Sequence, residues 1–96
     1  MVNTNDAKQL RKNINIRGKL ENFSEIRSVN LKDGRTINVR DVNLTDEAGF
    51  VKLTLWGDDC EKFNAGDEVE LANGYSNEFK GTISLAKGKF GTLEKV

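Results

Sequence analysis

The chain has 96 residues, with 15 Lys and Arg against 15 Asp and Glu, a formal net charge of zero, one cysteine and no histidine. That length gives one domain able to bury a core without staples, and a lone cysteine excludes an internal disulfide. The missing histidine removes the commonest general base and zinc ligand, and there is neither a membrane-length apolar run nor a signal-peptide start, so a soluble cytoplasmic protein with no metal, no cofactor and no membrane partner is expected.

Residues 1–12 are polar and read as a tail or as a short helix from Asp6. Residues 13–23 carry Ile14, Ile16 and Leu20 in strand alternation, and Gly18 inside that run signals a bulge or sharp bend. Residues 24–35 are polar around Val29 and Leu31 and contain Asp33-Gly34, a hairpin turn signal. The second strand spans 36–45; its apolar positions run Ile37, Val39 and then Val42, Leu44, a phase change that predicts a second bulge near Arg40-Asp41. Asp46–Gly49 is a tight turn into the third strand, 50–56, read as FVKLTLW. Residues 57–63 fit one or two helical turns with Asp58 and Asp59 near the start. A turn at Ala65-Gly66-Asp67 leads to the fourth strand, 68–72, then a loop or strand extension over 74–80, the fifth strand at 82–86 and a short final extension.

Five curved strands with the only internal helix between the third and fourth follow the order of an OB-fold barrel over residues 13–96. The fold class is therefore all-β. An SH3-type barrel, the main rival, would not place a helix there.

Charge is unevenly placed. Residues 1–40 carry a net +5, residues 41–70 a net −7 and residues 71–96 a net +2. A fold that joins the two basic ends would make one cationic face despite the neutral total.

The aromatic residues point the same way. In FVKLTLW, Val51, Leu53 and Leu55 take the core side, so Trp56 stands on the face that carries Lys52 and Thr54. A flat aromatic on a wet, cationic face suits the stacking of nucleic-acid bases. Phe23 and Phe63 lie among apolar neighbours and read as core; Phe50 begins the strand on the polar parity, as a rim residue. Tyr75 and Phe79 sit in the polar run NGYSNEFKG, either as a cluster closing one barrel end or as stacking platforms on the loop joining strands four and five.

The combined run DEAGFVKLTLWGDDCEKFNAGDEVELANGYSNEFKGTISLAKG, residues 46–88, resembles the single-stranded-DNA-binding OB domain of archaeal replication protein A and of related simple single-stranded-DNA-binding proteins. The matching features are the D-x-x-G turn, the strand ending in Leu-Trp, Gly66-Asp67 before strand four, and Gly74-Tyr75 followed by Phe79 and Gly81. The resemblance implies that Trp56, Tyr75 and Phe79 stack bases, with Arg40, Lys52, Lys80, Lys87 and Lys89 along the backbone path. Some relatives carry a further aromatic where this chain has Ala86; Phe90 would substitute only if the last turn folds back. Relatives often continue into further OB domains, a zinc module or a protein-binding tail, so other OB domains and replication, repair or recombination proteins are the protein partners implied.

Three other functions compete with single-stranded DNA binding. The same face would bind RNA, because stacking does not read the sugar. A structural OB module would bury Trp56 and Tyr75 against a partner. An enzyme would need Asp58-Asp59 or Asp46-Glu47 to hold a magnesium ion, or an activated Cys60, which has no base beside it in this composition. No catalytic role is expected.

Overall fold

The computed structural model describes residues 2–96, apart from the side chain of Phe79. Two single-turn helices and seven strands follow in the order α1 (Thr4–Ala7), β1 (Ile14–Glu21), β2 (Arg27–Asn30), β3 (Thr36–Asp46), β4 (Gly49–Trp56), α2 (Asp59–Lys62), β5 (Glu68–Phe79), β6 (Thr82–Ala86) and β7 (Thr92–Lys95). Strands pair in the order β1-β3-β4-β6-β5, and β1 pairs again with β5, so the sheet closes on itself. The β4–β6 ladder is parallel and the rest are antiparallel. This is the five-stranded OB barrel, with α2 between its third and fourth strands. Two short additions flank it: β2 forms a hairpin with β3 across the turn that holds Asp33-Gly34, and β7 adds to β5.

Alternation drives the closure. Every second residue of β1, from Ile14 through Leu20, is buried, and Val51, Leu53 and Leu55 repeat the pattern on β4. With Val42, Leu44, Val69, Leu71 and Leu85 they form one core cluster, to which Cys60 and Phe63 add from around α2 and Ala7 from α1. Phe23 packs partly buried against it.

Gly18 is where β1 changes partner. Gly18 pairs with Val69 of β5, and Lys19 pairs with both Glu68 of β5 and Thr45 of β3. A Cβ at Gly18 would lie 2.7 Å from the Thr45 carbonyl oxygen, so only glycine lets the two backbones approach this closely. The register shift of β1 falls earlier, between Ile14 and Ile16.

Two readings of the sequence need revision. The phase change in β3 is not a bulge: its pairing with β4 runs unbroken from Val39↔Trp56 to Asp46↔Gly49. Val39 is instead an outward residue, buried to 1% exposure yet outside the core cluster. Its cross-strand neighbours on that face are Trp56 and Arg27. The segment from Gly74 to Phe79 is strand rather than loop. It extends β5 past a kink at Asn73 (φ 54°) and pairs with β6. The turn is just Lys80-Gly81, both at positive φ (52° and 82°), the pattern of a type I′ hairpin.

The N-terminal segment lies along the barrel. The Thr4 N–H and hydroxyl each donate to the Asp46 carboxylate at 2.8 Å, and Asn3 caps α1 by accepting from the Asp6 N–H. Val2 donates to the Asn15 carbonyl, and Ser76 donates to the carbonyls of Leu10 and Arg11.

Candidate nucleic-acid interface

Cross-strand partners share a face of a sheet. The outer face of β3, β4, β6 and β5 can therefore be read row by row from the register. One row runs Asp41, Thr54, Ala86, Tyr75; the next runs Asn43, Lys52, Ser84, Asn77. Trp56 lies one step beyond Thr54, beside Val39, and β2 carries the row on to Arg27. Large side chains stand around this face and small or polar ones line its floor.

The result is a groove of about 450 Å³ lined by Arg27, Asp41, Lys52, Thr54, Trp56, Asn77, Lys80, Thr82, Ser84 and Ala86. Trp56 is 38% exposed at one wall. Ala86 is nearly buried, which keeps the floor between Thr54 and Tyr75 low. The half-buried Tyr75 ring lies close over Gly88, where a Cβ would come within 3.2 Å of it. A somewhat larger hollow, about 520 Å³, lies between Arg17, Lys19 and the acids Glu21, Glu47 and Glu68. It has no aromatic wall and more carboxylates than cations, so it does not suit a polyanion.

Arg27 and Asp41 form an ion pair within the groove. Arg27 Nη1 donates to Asp41 Oδ2 at 3.1 Å, and the Thr54 hydroxyl donates to Asp41 Oδ1 at 3.0 Å. The carboxylate is thus held in place on the floor, and the guanidinium is drawn in above it.

The residues singled out from sequence separate into two groups. Trp56, Lys52 and Lys80 line the groove, and Tyr75 occupies the same face. Phe79 is the last ladder position of β5, opposite Thr82, and its side chain lies outside the described residues. Lys89 sits over the Phe90 ring at 5.7 Å in the segment joining β6 to β7, with Phe90 81% exposed. Arg40 and Lys87 are engaged elsewhere. Alternation turns Arg40 to the side opposite Asp41. There its Nε donates to the Ser24 carbonyl (2.7 Å), its Nη1 donates to the Cys60 carbonyl (3.2 Å), and its guanidinium lies 4.9 Å from the Phe23 ring centroid. It closes that end of the barrel. Lys87 Nζ lies 2.9 Å from Oδ2 of the buried Asp59 and ties β6 to α2.

Sequence reasoning missed Arg27, Asp41 and Asn77. The signal was available in part: Asp41 shares the outward parity of Asn43, as Asn77 shares that of Tyr75. The strand character of residues 74–79 had to be known first.

One member of each acidic pair has a structural partner. Burial alone would raise the Asp46 carboxyl, but hydrogen bonds from the Thr4 hydroxyl and from the N–H groups of Thr4, Ala48 and Gly49 outweigh it and hold the group below its ordinary value. Asp59 is taken by Lys87. Burial pushes the Cys60 thiol up, and its Sγ donates to the Leu55 carbonyl. Among the described residues no cluster of three or more His, Cys, Asp or Glu could hold a metal.

Residues 3–89 match the family model described as the replication protein A OB domain. Over 76 residues, 78% of this chain, the sequence is 37% identical to a single-stranded DNA binding protein of Saccharolobus solfataricus, half of whose length it spans. A replication factor A of Methanothermobacter thermautotrophicus is 30% identical over 77 residues, 79% of this chain and a tenth of that protein. Among solved structures, a chain of a replication protein A heterotrimer bound to single-stranded DNA superposes with a TM-score of 0.80 at 26% identity, covering 98% of this chain and 24% of that one. An OB domain from Thermoplasma acidophilum superposes with a TM-score of 0.83 at 19% identity, covering 99% of this chain and 85% of that one, a likeness of fold.

Proposed function

We propose that this chain, which belongs to the replication protein A OB-domain family, holds single-stranded DNA in the groove of its outer sheet face, and serves replication, repair or recombination where such strands are exposed. One observation carries the reading: a single face sets Trp56, Lys52 and Lys80 around one open groove and carries Tyr75 beside Ala86 of its floor. Bases stack on Trp56, Tyr75 and Phe79, each stack contributing about 1–3 kcal/mol regardless of sequence. Lys52, Lys80 and Lys89 face the phosphates. No bond is made or broken.

On this reading duplex should be a poor ligand. Paired bases hide their faces, and because Asp41 offsets Arg27 within the groove, a phosphate backbone alone would gain only Lys52 and Lys80 there. Stacking, rather than net charge, supplies the selectivity for single strands.

The test uses the lone tryptophan. Titration with oligothymidylate should quench Trp56 fluorescence, less so as salt rises, and equal-length duplex should not. Trp56→Ala, followed by anisotropy of a labelled oligonucleotide, should weaken binding about five- to hundredfold, the range of one stack, with the fold intact and its melt still cooperative. Unquenched fluorescence, together with undiminished affinity in the variant, would refute the stacking groove and favour a module that docks on protein. A matched RNA oligonucleotide measures how far the groove reads the sugar.

A further inference from the structure

Among the described residues, Phe50 is the large aromatic of the outer sheet face that this reading leaves without a task. It pairs with Thr45, which puts it on the parity of Lys52, Thr54 and Trp56, and it is 54% exposed, more than Trp56 at 38%. Lys8, which follows α1, places its Nζ 5.7 Å from the centroid of the Phe50 ring. Ring and ammonium border a hollow of about 320 Å³ whose lining also includes Asn43, Lys52 and Thr82. Lys52 and Thr82 line the main groove as well, so the two depressions are neighbours that share a wall.

We propose that the hollow at Phe50 is a further nucleotide subsite, in which the strand leaving the groove stacks a base on Phe50 and places a phosphate at Lys8. The inference rests on the groove reading above. Phe50 and Trp56 stand at opposite ends of β4, about 20 Å apart at the ordinary strand rise, so a strand must extend past the main groove to occupy both. An exposed ring with a cation already beside it presents a base-sized face and a phosphate partner together. The cation is held there by structure. Thr4 is fastened to Asp46, and the carbonyls of Leu10 and Arg11 accept from Ser76, so the segment that bears Lys8 is tied at both ends. The N-terminal segment is thereby part of the binding surface.

Length dependence is the test. The full chain and the variants Phe50→Ala, Lys8→Gln and Trp56→Ala are titrated with oligothymidylates spanning about 4 to 16 nucleotides, the range covered by single OB folds, and each variant is melted. Phe50→Ala should lose about tenfold in affinity for the longest oligomers, within the worth of one stack, and the loss should shrink as the oligomer shortens. Lys8→Gln should lower the salt slope on long oligomers by about 0.7, one phosphate contact. Phe50→Ala binding like the parent at every length, while Trp56→Ala weakens all of them, would overturn the subsite and leave the groove standing. A loss in Phe50→Ala that is independent of length would overturn it too. If Trp56→Ala also binds like the parent, the groove reading itself fails.

Discussion

Asp41 is a carboxylate on the floor of a groove that we assign to a polyanion, and its removal makes a prediction opposite in sign to most site substitutions. In Asp41→Asn the amide oxygen still accepts from the Thr54 hydroxyl, so the floor keeps its hydrogen bond, while the charge and the attraction to Arg27 are lost. A phosphate about 6 Å from the carboxylate is repelled by about 0.7 kcal/mol at the dielectric constant of water and by about 3 kcal/mol at an effective value of 20. With screening at ~0.1 M salt, about 1 kcal/mol remains, a gain near fivefold in affinity. Arg27, released from its partner, becomes available to a phosphate and should steepen the salt dependence by about 0.7. The cost to the fold is small, since a pair whose side chains are 54% and 22% exposed stabilises by about 1 kcal/mol or less. The assay is a fluorescence titration with oligothymidylate at several salt concentrations, beside a thermal melt. Weaker binding with an unchanged salt slope and an unchanged melt would refute the placement of phosphates on this face.

Two further outcomes concern the fold. Gly18→Ala sets a methyl group 2.7 Å from the Thr45 carbonyl, so the β1–β3 junction must part; a loss of about 1–3 kcal/mol by denaturant melt is expected, and an unchanged midpoint would show that the close approach is relaxed in solution. Asp46 has a folded-state pKa below its unfolded value, so the stability it lends is complete above the unfolded pKa of about 4 and is lost as pH falls through the lower folded value. Asp46→Asn should reduce this acid sensitivity and raise amide exchange in the segment before β1, measured by hydrogen exchange across that pH range.

The barrel was legible because its core strands bury one parity and wet the other, as Ile14–Leu20 and Val51–Leu55 do. Two stretches broke the rule for identifiable reasons. Val39 is buried on the outer face among Trp56 and Arg27, which mimics a phase slip although the ladder is continuous. The second half of β5 carries no aliphatic residue because its inward Ser76 meets the backbone of residues 10 and 11 instead of the core. A polar strand covered by a polar chain reads as loop. Trp56 could be placed on the wet face from alternation alone; for Tyr75 the polar run left a stacking platform or an end cluster open, and the resemblance favoured the first. The fates of Arg40 and Lys87 depended on where carbonyls and a buried carboxylate fell in three dimensions, which a list of cations does not hold.

Closure of the ring between β1 and β5 has a kinetic consequence. The β3–β4 hairpin is built from near neighbours across the Glu47-Ala48 turn, and the β5–β6 hairpin across the equally short Lys80-Gly81 turn, so both can form on the microsecond scale of isolated hairpins. Pairs such as Gly18↔Val69 and Arg17↔Glu70 join residues from opposite halves of the chain, and their loop entropy must be met before they contribute anything. Folding should therefore run in milliseconds to seconds, as for other high-contact-order barrels, with substitutions in β1 speeding unfolding and those in the β3–β4 hairpin slowing folding.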